Sequence, residues 1–147
     1  MMSTAAILAM IDARAAIDPE FAALVQARND AAIAAALSVG RTRTVETFGG
    51  YGYVMERLGP TGGAALLDAL ESMAASSPPI KWAFRLLERG ALDFGSVATR
   101  VQLDALVVAG VLPAPAAAAL KAGAEVADPI DVGAVSAALN ARERGAA

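Results

Sequence analysis

The stretch FGGYGYV at 48–54 is the one place where this sequence looks suited to approach a phosphate, because glycines let backbone N–H groups come close to anionic oxygens. The spacing does not support that chemistry. A dinucleotide fingerprint needs glycine three residues after Gly52, where Met55 stands, and a Walker loop needs Gly-Lys-Ser/Thr, with no lysine nearby. Asp93-Phe94-Gly95 matches the metal-binding triplet of protein kinases, but the chain has no catalytic-loop aspartate and too few residues for that fold. Both matches read as accidental. The carboxylates offer equally little. Asp18, Asp30, Asp128 and Asp131 stand where helices should begin, and capping accounts for them. Glu56, Glu71, Glu88 and Asp104 fall one to a helix on polar faces, and no D-x-D-x-D-G calcium loop is present. The chain holds no cysteine and no histidine, which removes thiolate chemistry, disulfides, the commonest general base and the commonest transition-metal ligand. No catalytic residue, metal or cofactor is expected, and the residues point away from an enzyme.

What remains is a set of side chains suited to contact. Arg41, Arg43, Tyr51, Tyr53 and Arg57 lie in GRTRTVETFGGYGYVMERLG (40–59), inside a stretch without alanine from Ala36 to Ala64 in a chain of 38 alanines. Tyrosine and arginine are enriched at interface hot spots because they bury area while still satisfying a polar end. Two readings stand. The window is a docking loop between two helical halves that reaches a neighbouring subunit, or it is a connection whose tyrosines fold back on the core. The first makes these five the candidate protein-interface residues. Phe84 is expected in the core, and Trp82 fits either environment.

The elements that must position these residues are helical. Ser3 caps a helix to about residue 17, Asp18-Pro19 restarts the chain as a second, and Asn29-Asp30 caps a third that Gly40 ends. RTRTVET is β-branched and alternating, which favours a short extended segment. One or two helical turns follow at 54–58, and Gly59-Pro60 marks a turn. Further helices are expected from Thr61, from Pro79 to Gly90, from Ser96 to about residue 109, over 116–122, and from Asp131 to about residue 142. The sum is an all-α bundle of seven or eight short helices with one Gly/Arg/Tyr-rich loop. It forms one domain over 1–147, or divides into 1–40 and 60–142 around a 41–59 loop. AIAAALSVGRTR (32–43) and AVSAALNARERG (134–145) echo each other, as chance allows in so alanine-rich a chain.

Composition limits the partners. Hydrophobic residues make up 56% and charged residues 18%, so the chain can bury a core. A net charge of −3, with ten arginines and two lysines scattered along the chain, disfavours binding to nucleic acid by counterion release. A helix-turn-helix over 96–140 would offer DNA only Lys121 from its second helix. The N-terminus lacks a basic region and meets Asp12 early, unlike a signal peptide. The uncharged run 105–120 is broken by Gly110, Pro113 and Pro115, so no membrane span is expected.

Four segments carry a resemblance: NDAAIAAALSVGRTR, LGPTGGAALLDALE, IKWAFRLLERGALDFG and DALVVAGVLPAPAAAALKAGAEVADPIDVGAVSAALN. They resemble a family of small alanine-rich proteins encoded among the virion-structure genes of tailed bacteriophages, over Asn29 to Asn140. Where that family shows Ala-Leu-Ala-Glu-Val-Pro-Asp-Pro-Ile, this chain reads AGAEVADPI. The resemblance implies a virion structural protein at the neck, head-completion or tail position, made in the bacterial host cytoplasm. Its partners would be other phage structural proteins and further copies of itself, a homo-oligomer in the particle. The alternative is an assembly chaperone or small helical regulator not retained in the particle. On the docking-loop reading, Arg41→Ala, Arg43→Ala and Tyr51→Ala should leave the monomer folded and impair assembly. Thermal denaturation of the isolated monomer checks this, since a large loss of stability would mark the window as core.

Overall fold

Four short polar side chains start helices as the sequence suggests. Ser3, Asp18, Asn29 and Ser96 each accept a hydrogen bond from the backbone N–H three residues on, at 3.1–3.2 Å, satisfying donors that a first turn leaves open. The computed structural model of the chain describes residues 1–145. Among these are eight helices: α1 (Thr4–Ala15), α2 (Pro19–Gln26), α3 (Asp30–Ser38), α4 (Tyr51–Ala74), α5 (Pro78–Glu88), α6 (Val97–Val108), α7 (Ala114–Ala122) and α8 (Val132–Gly145). Four short strands accompany them: β1 (Thr42–Thr44), β2 (Phe48–Gly49), β3 (Leu92–Asp93) and β4 (Glu125–Ala127). They form two small antiparallel sheets, so the protein is predominantly helical and not purely all-α.

The chain divides into two compact units, Met1–Arg43 with 127–145, and Thr44–Val126. α8 returns to the N-terminal helices, so the first unit joins both ends of the chain. In the first unit, Ile7, Ile11, Phe21, Ile33 and Leu37 of α1–α3 bury against Val135, Ala138 and Leu139 of α8. Arg28 closes α2 in the left-handed region at φ 53°, a position usually given to glycine. Its guanidinium reaches Asp30, Asn140 and Glu143, which ties the turn to α8.

In the second unit the core is Val54, Leu66, Leu87, Phe94, Leu103, Leu106 and Leu120, with smaller residues between them. The expected 41–59 loop is absent as a single loop. Thr42–Thr44 pairs with β4, Phe48–Gly49 pairs with β3 in the register Phe48↔Asp93 and Gly49↔Leu92, and α4 begins at Tyr51. The extended part finds its strand partners more than 40 residues away in sequence, which no local pattern announces. The break expected at Gly59-Pro60 is present as a kink inside α4, with Gly59 at φ 76° and ψ 169°.

Asp93-Phe94-Gly95 has a structural use. The Asp93 carboxylate accepts from the N–H groups of Thr47 (2.8 Å) and Gly95 (2.9 Å), and Phe94 is 2% exposed. A Cβ on Gly95 would lie 2.0 Å from the carbonyl oxygen of Val45, so only glycine lets the two backbone segments meet. Gly95→Ala should therefore cost about 2–4 kcal/mol by forcing backbone apart. Urea denaturation followed by the fluorescence of Trp82, the single tryptophan and in the same unit, reads this directly.

Candidate protein-interaction surface

The structure separates the five residues of the Arg/Tyr window. Arg41 and Arg43 belong to the first unit, and Tyr51, Tyr53 and Arg57 to the second. Arg41 is held by Asp128, with its Nη2 on the carboxylate and its Nε donating to the backbone carbonyl at 3.1 Å. Arg43 is exposed on β1. Tyr51 is partly exposed at the start of α4 and packs against Phe84, with ring centroids 5.8 Å apart.

Tyr53 turns inward. Its ring stacks on Phe94 at 4.2 Å and 27°, and its hydroxyl donates to the carbonyl of Leu120 at 2.7 Å. Arg57, one turn on, lies over the same ring at 5.6 Å. Gly123 makes room for the phenol, since a Cβ there would sit 2.0 Å from the hydroxyl oxygen. Of the five, the structure brings only Tyr53 and Arg57 into one cluster, and that cluster packs α4 against α7.

An exposed apolar surface lies elsewhere in the second unit, on α5 and α6. Ile80, Phe84 and Leu87 of α5 face the core, whereas Trp82 and Leu86, one turn apart, are 59% and 45% exposed. Packing of α5 is mainly on α4, and that of α6 mainly on α7. Between α5 and α6 runs an open cleft of about 410 Å³, lined by Trp82, Ala83, Leu86, Leu92, Thr99 and Gln102 among others. On the side of α6 away from its buried Leu103 and Leu106, Val97, Val101 and Val108 recur at helical spacing, exposed by 78%, 60% and 88%. The sequence carried a signal for this face: the apolar residues of IKWAFRLLERG occupy two sides of one helix, and one core uses only one of them. Lys81 and Arg85 lie over the Trp82 ring at 5.6 and 4.8 Å, so the indole is flanked by cations while its edge stays open.

The first unit has its own open cleft, of about 320 Å³, beside Ile7, Ile130 and the Arg41–Asp128 pair. Its polar groups are already engaged. Arg41 holds Asp128, and the Asp131 carboxylate accepts from the N–H of Ala134 at the start of α8. Among the described residues no three histidine, cysteine, aspartate or glutamate side chains gather as metal ligands, and no helix is long and apolar enough to cross a membrane.

No protein-family model matches this chain, and no curated protein and no solved structure matches it either.

The Tyr53 cluster gives a test of its inward role. Burial raises the Tyr53 phenol above its ordinary pKa, with Arg57 and Arg100 opposing. The folded state thus favours the neutral phenol. Its contribution is complete below the unfolded value of about 10 and is lost as pH rises through the higher folded value. Tyr53→Phe should cost about 1 kcal/mol at neutral pH through loss of the hydrogen bond to Leu120, and should flatten the alkaline loss of stability. Urea denaturation at neutral and alkaline pH measures both.

Proposed function

We propose that the protein is a non-enzymatic structural component of a tailed-bacteriophage particle, at the neck, head-completion or tail position, and that it works through protein–protein contacts. The observation that carries the contact reading is the α5–α6 face. Trp82 and Leu86 are large apolar side chains left partly in solvent at the open cleft of one unit, where a partner would bury them. Tryptophan flanked by arginine is also the composition of interface hot spots.

The phage setting rests on the resemblance of the four segments within Asn29 to Asn140. It agrees with the physical character of the chain: alanine-rich helices that bury little area each, and a modest apolar face. Symmetric repetition in a ring multiplies such a contact into a stable assembly. Of the five residues first expected at the interface, Arg43, Tyr51 and Arg57 keep exposed surface for that role, while Arg41 pairs with Asp128 and Tyr53 turns inward. The same exposed face also suits an assembly chaperone that holds a partner and then leaves.

Quantitative mass spectrometry of purified particles separates the two readings. A fixed ratio to portal or tail proteins is expected for a structural component, and the ratio gives the copy number of the ring. Abundance in the lysate with absence from particles would establish the chaperone or regulator. The double variant Trp82→Ala with Leu86→Ala should cost about 1–2 kcal/mol, because both side chains are about half exposed. It should nonetheless be depleted from particles. Incorporation equal to that of the parent protein would remove this face from the contact.

A further inference from the structure

We propose that the cleft between α5 and α6 receives an amphipathic, acidic helix of a partner protein, an inference that rests on the contact reading above and specifies its chemistry. The shape argues for a helix. Two helices of 11 and 12 residues, about 16–18 Å long at 1.5 Å per residue, flank the groove, which is the form of a helix-in-groove site. Trp82, Ala83, Leu86 and Leu92 offer an apolar lining for anchors at i, i+3/i+4 and i+7 of an incoming helix.

The charge argues for an acidic one. Among the described residues, Arg14, Arg28, Arg41, Arg100, Lys121 and Arg142 already pair with carboxylates of this chain. Lys81, Arg85 and Arg89 form no such pair, nor do Arg43, Arg57 and Arg144; but the first three cluster on α5 and at its C-terminal cap, and Arg85 and Arg89 border the Trp82–Leu86 surface. The carboxylate that lines the cleft, Asp93, is occupied by the N–H groups of Thr47 and Gly95. A chain of net charge −3 therefore presents a local cationic rim beside an apolar groove, and a partner's carboxylates complement that rim. The partly exposed Trp82 and Leu86 favour apolar anchors over a phosphate backbone.

Trp82, as the only tryptophan, reports occupancy of the cleft by its own emission. Two designed peptides of about 18 residues, long enough to form helix on binding, serve as probes. They share a leucine face and differ in carrying glutamate or lysine opposite. The glutamate peptide should shift Trp82 emission to the blue and saturate in the micromolar range. Its affinity should fall about fivefold or more between 50 and 300 mM salt, as screened ion pairs do. The lysine peptide should not saturate, and Arg85→Glu with Arg89→Glu should reverse the preference. Equal binding of both peptides, no change in emission with the glutamate peptide, or a shift produced instead by a single-stranded oligonucleotide would overturn the proposal. Incorporation of the Trp82→Ala, Leu86→Ala variant distinguishes the two levels. If that variant is excluded from particles while the peptides show no charge preference, the face is a contact and its partner is not an acidic helix. If it is incorporated normally, this face is not the contact and the proposal falls with it.

Discussion

Alanine holds a helix well but gives it little to bury, and that constraint governs both units. Each must close around a few large side chains. In the first, Phe21 and the isoleucines of α1 and α3 meet Val135 and Leu139 of α8. In the second, Phe94 sits among leucines from α4 to α7, under the ring of Tyr53. Where so few large residues make a core, backbone must approach side chains closely. Glycine then appears where a methyl group would collide: Gly95 against the Val45 carbonyl and Gly123 against the Tyr53 hydroxyl.

The same economy explains where the polar side chains go. Arg28 holds α8 through Asn140 and Glu143, Arg41 holds Asp128, Arg100 holds Glu125, and Arg142 holds Asp12. These pairs join residues 25 or more positions apart in sequence, and each is partly open to water, so their value lies in fixing geometry more than in large net stabilisation. Of the cations left without an ion pair, Lys81, Arg85 and Arg89 stand together on and beside α5, beside the Trp82–Leu86 surface.

That contrast shapes the functional reading. The Arg/Tyr window, the most distinctive stretch of the sequence, is mostly absorbed into strand pairing and the start of α4. Exposed apolar side chains are spread over the chain, Ile17, Val39 and Phe48 among them, but those that border an open cleft, Trp82 and Leu86, lie on α5, in a segment whose composition looks ordinary. Trp82 and Leu86 were legible as apolar residues off the core stripe of their helix. Val97, Val101 and Val108 were not, because a valine stripe reads as core until the structure shows which side of α6 faces Leu103 and Leu106.

The sequence by itself determined most of the helices and several of their starts, though not that α4 begins at Tyr51 and continues past the Gly59 kink. Caps at Ser3, Asp18, Asn29 and Ser96, and left-handed glycines at Gly40 and Gly90, act through hydrogen bonds and steric limits spanning only a few residues. Only the tertiary structure decided the rest: that α8 completes the first unit, that β2 pairs with β3, that Tyr53 turns inward, and which apolar face of α5 remains in solvent. Those outcomes depend on contacts between residues tens of positions apart. Alanine-rich segments of similar hydrophobicity do not distinguish their partners until large side chains such as Phe21 and Phe94 are packed.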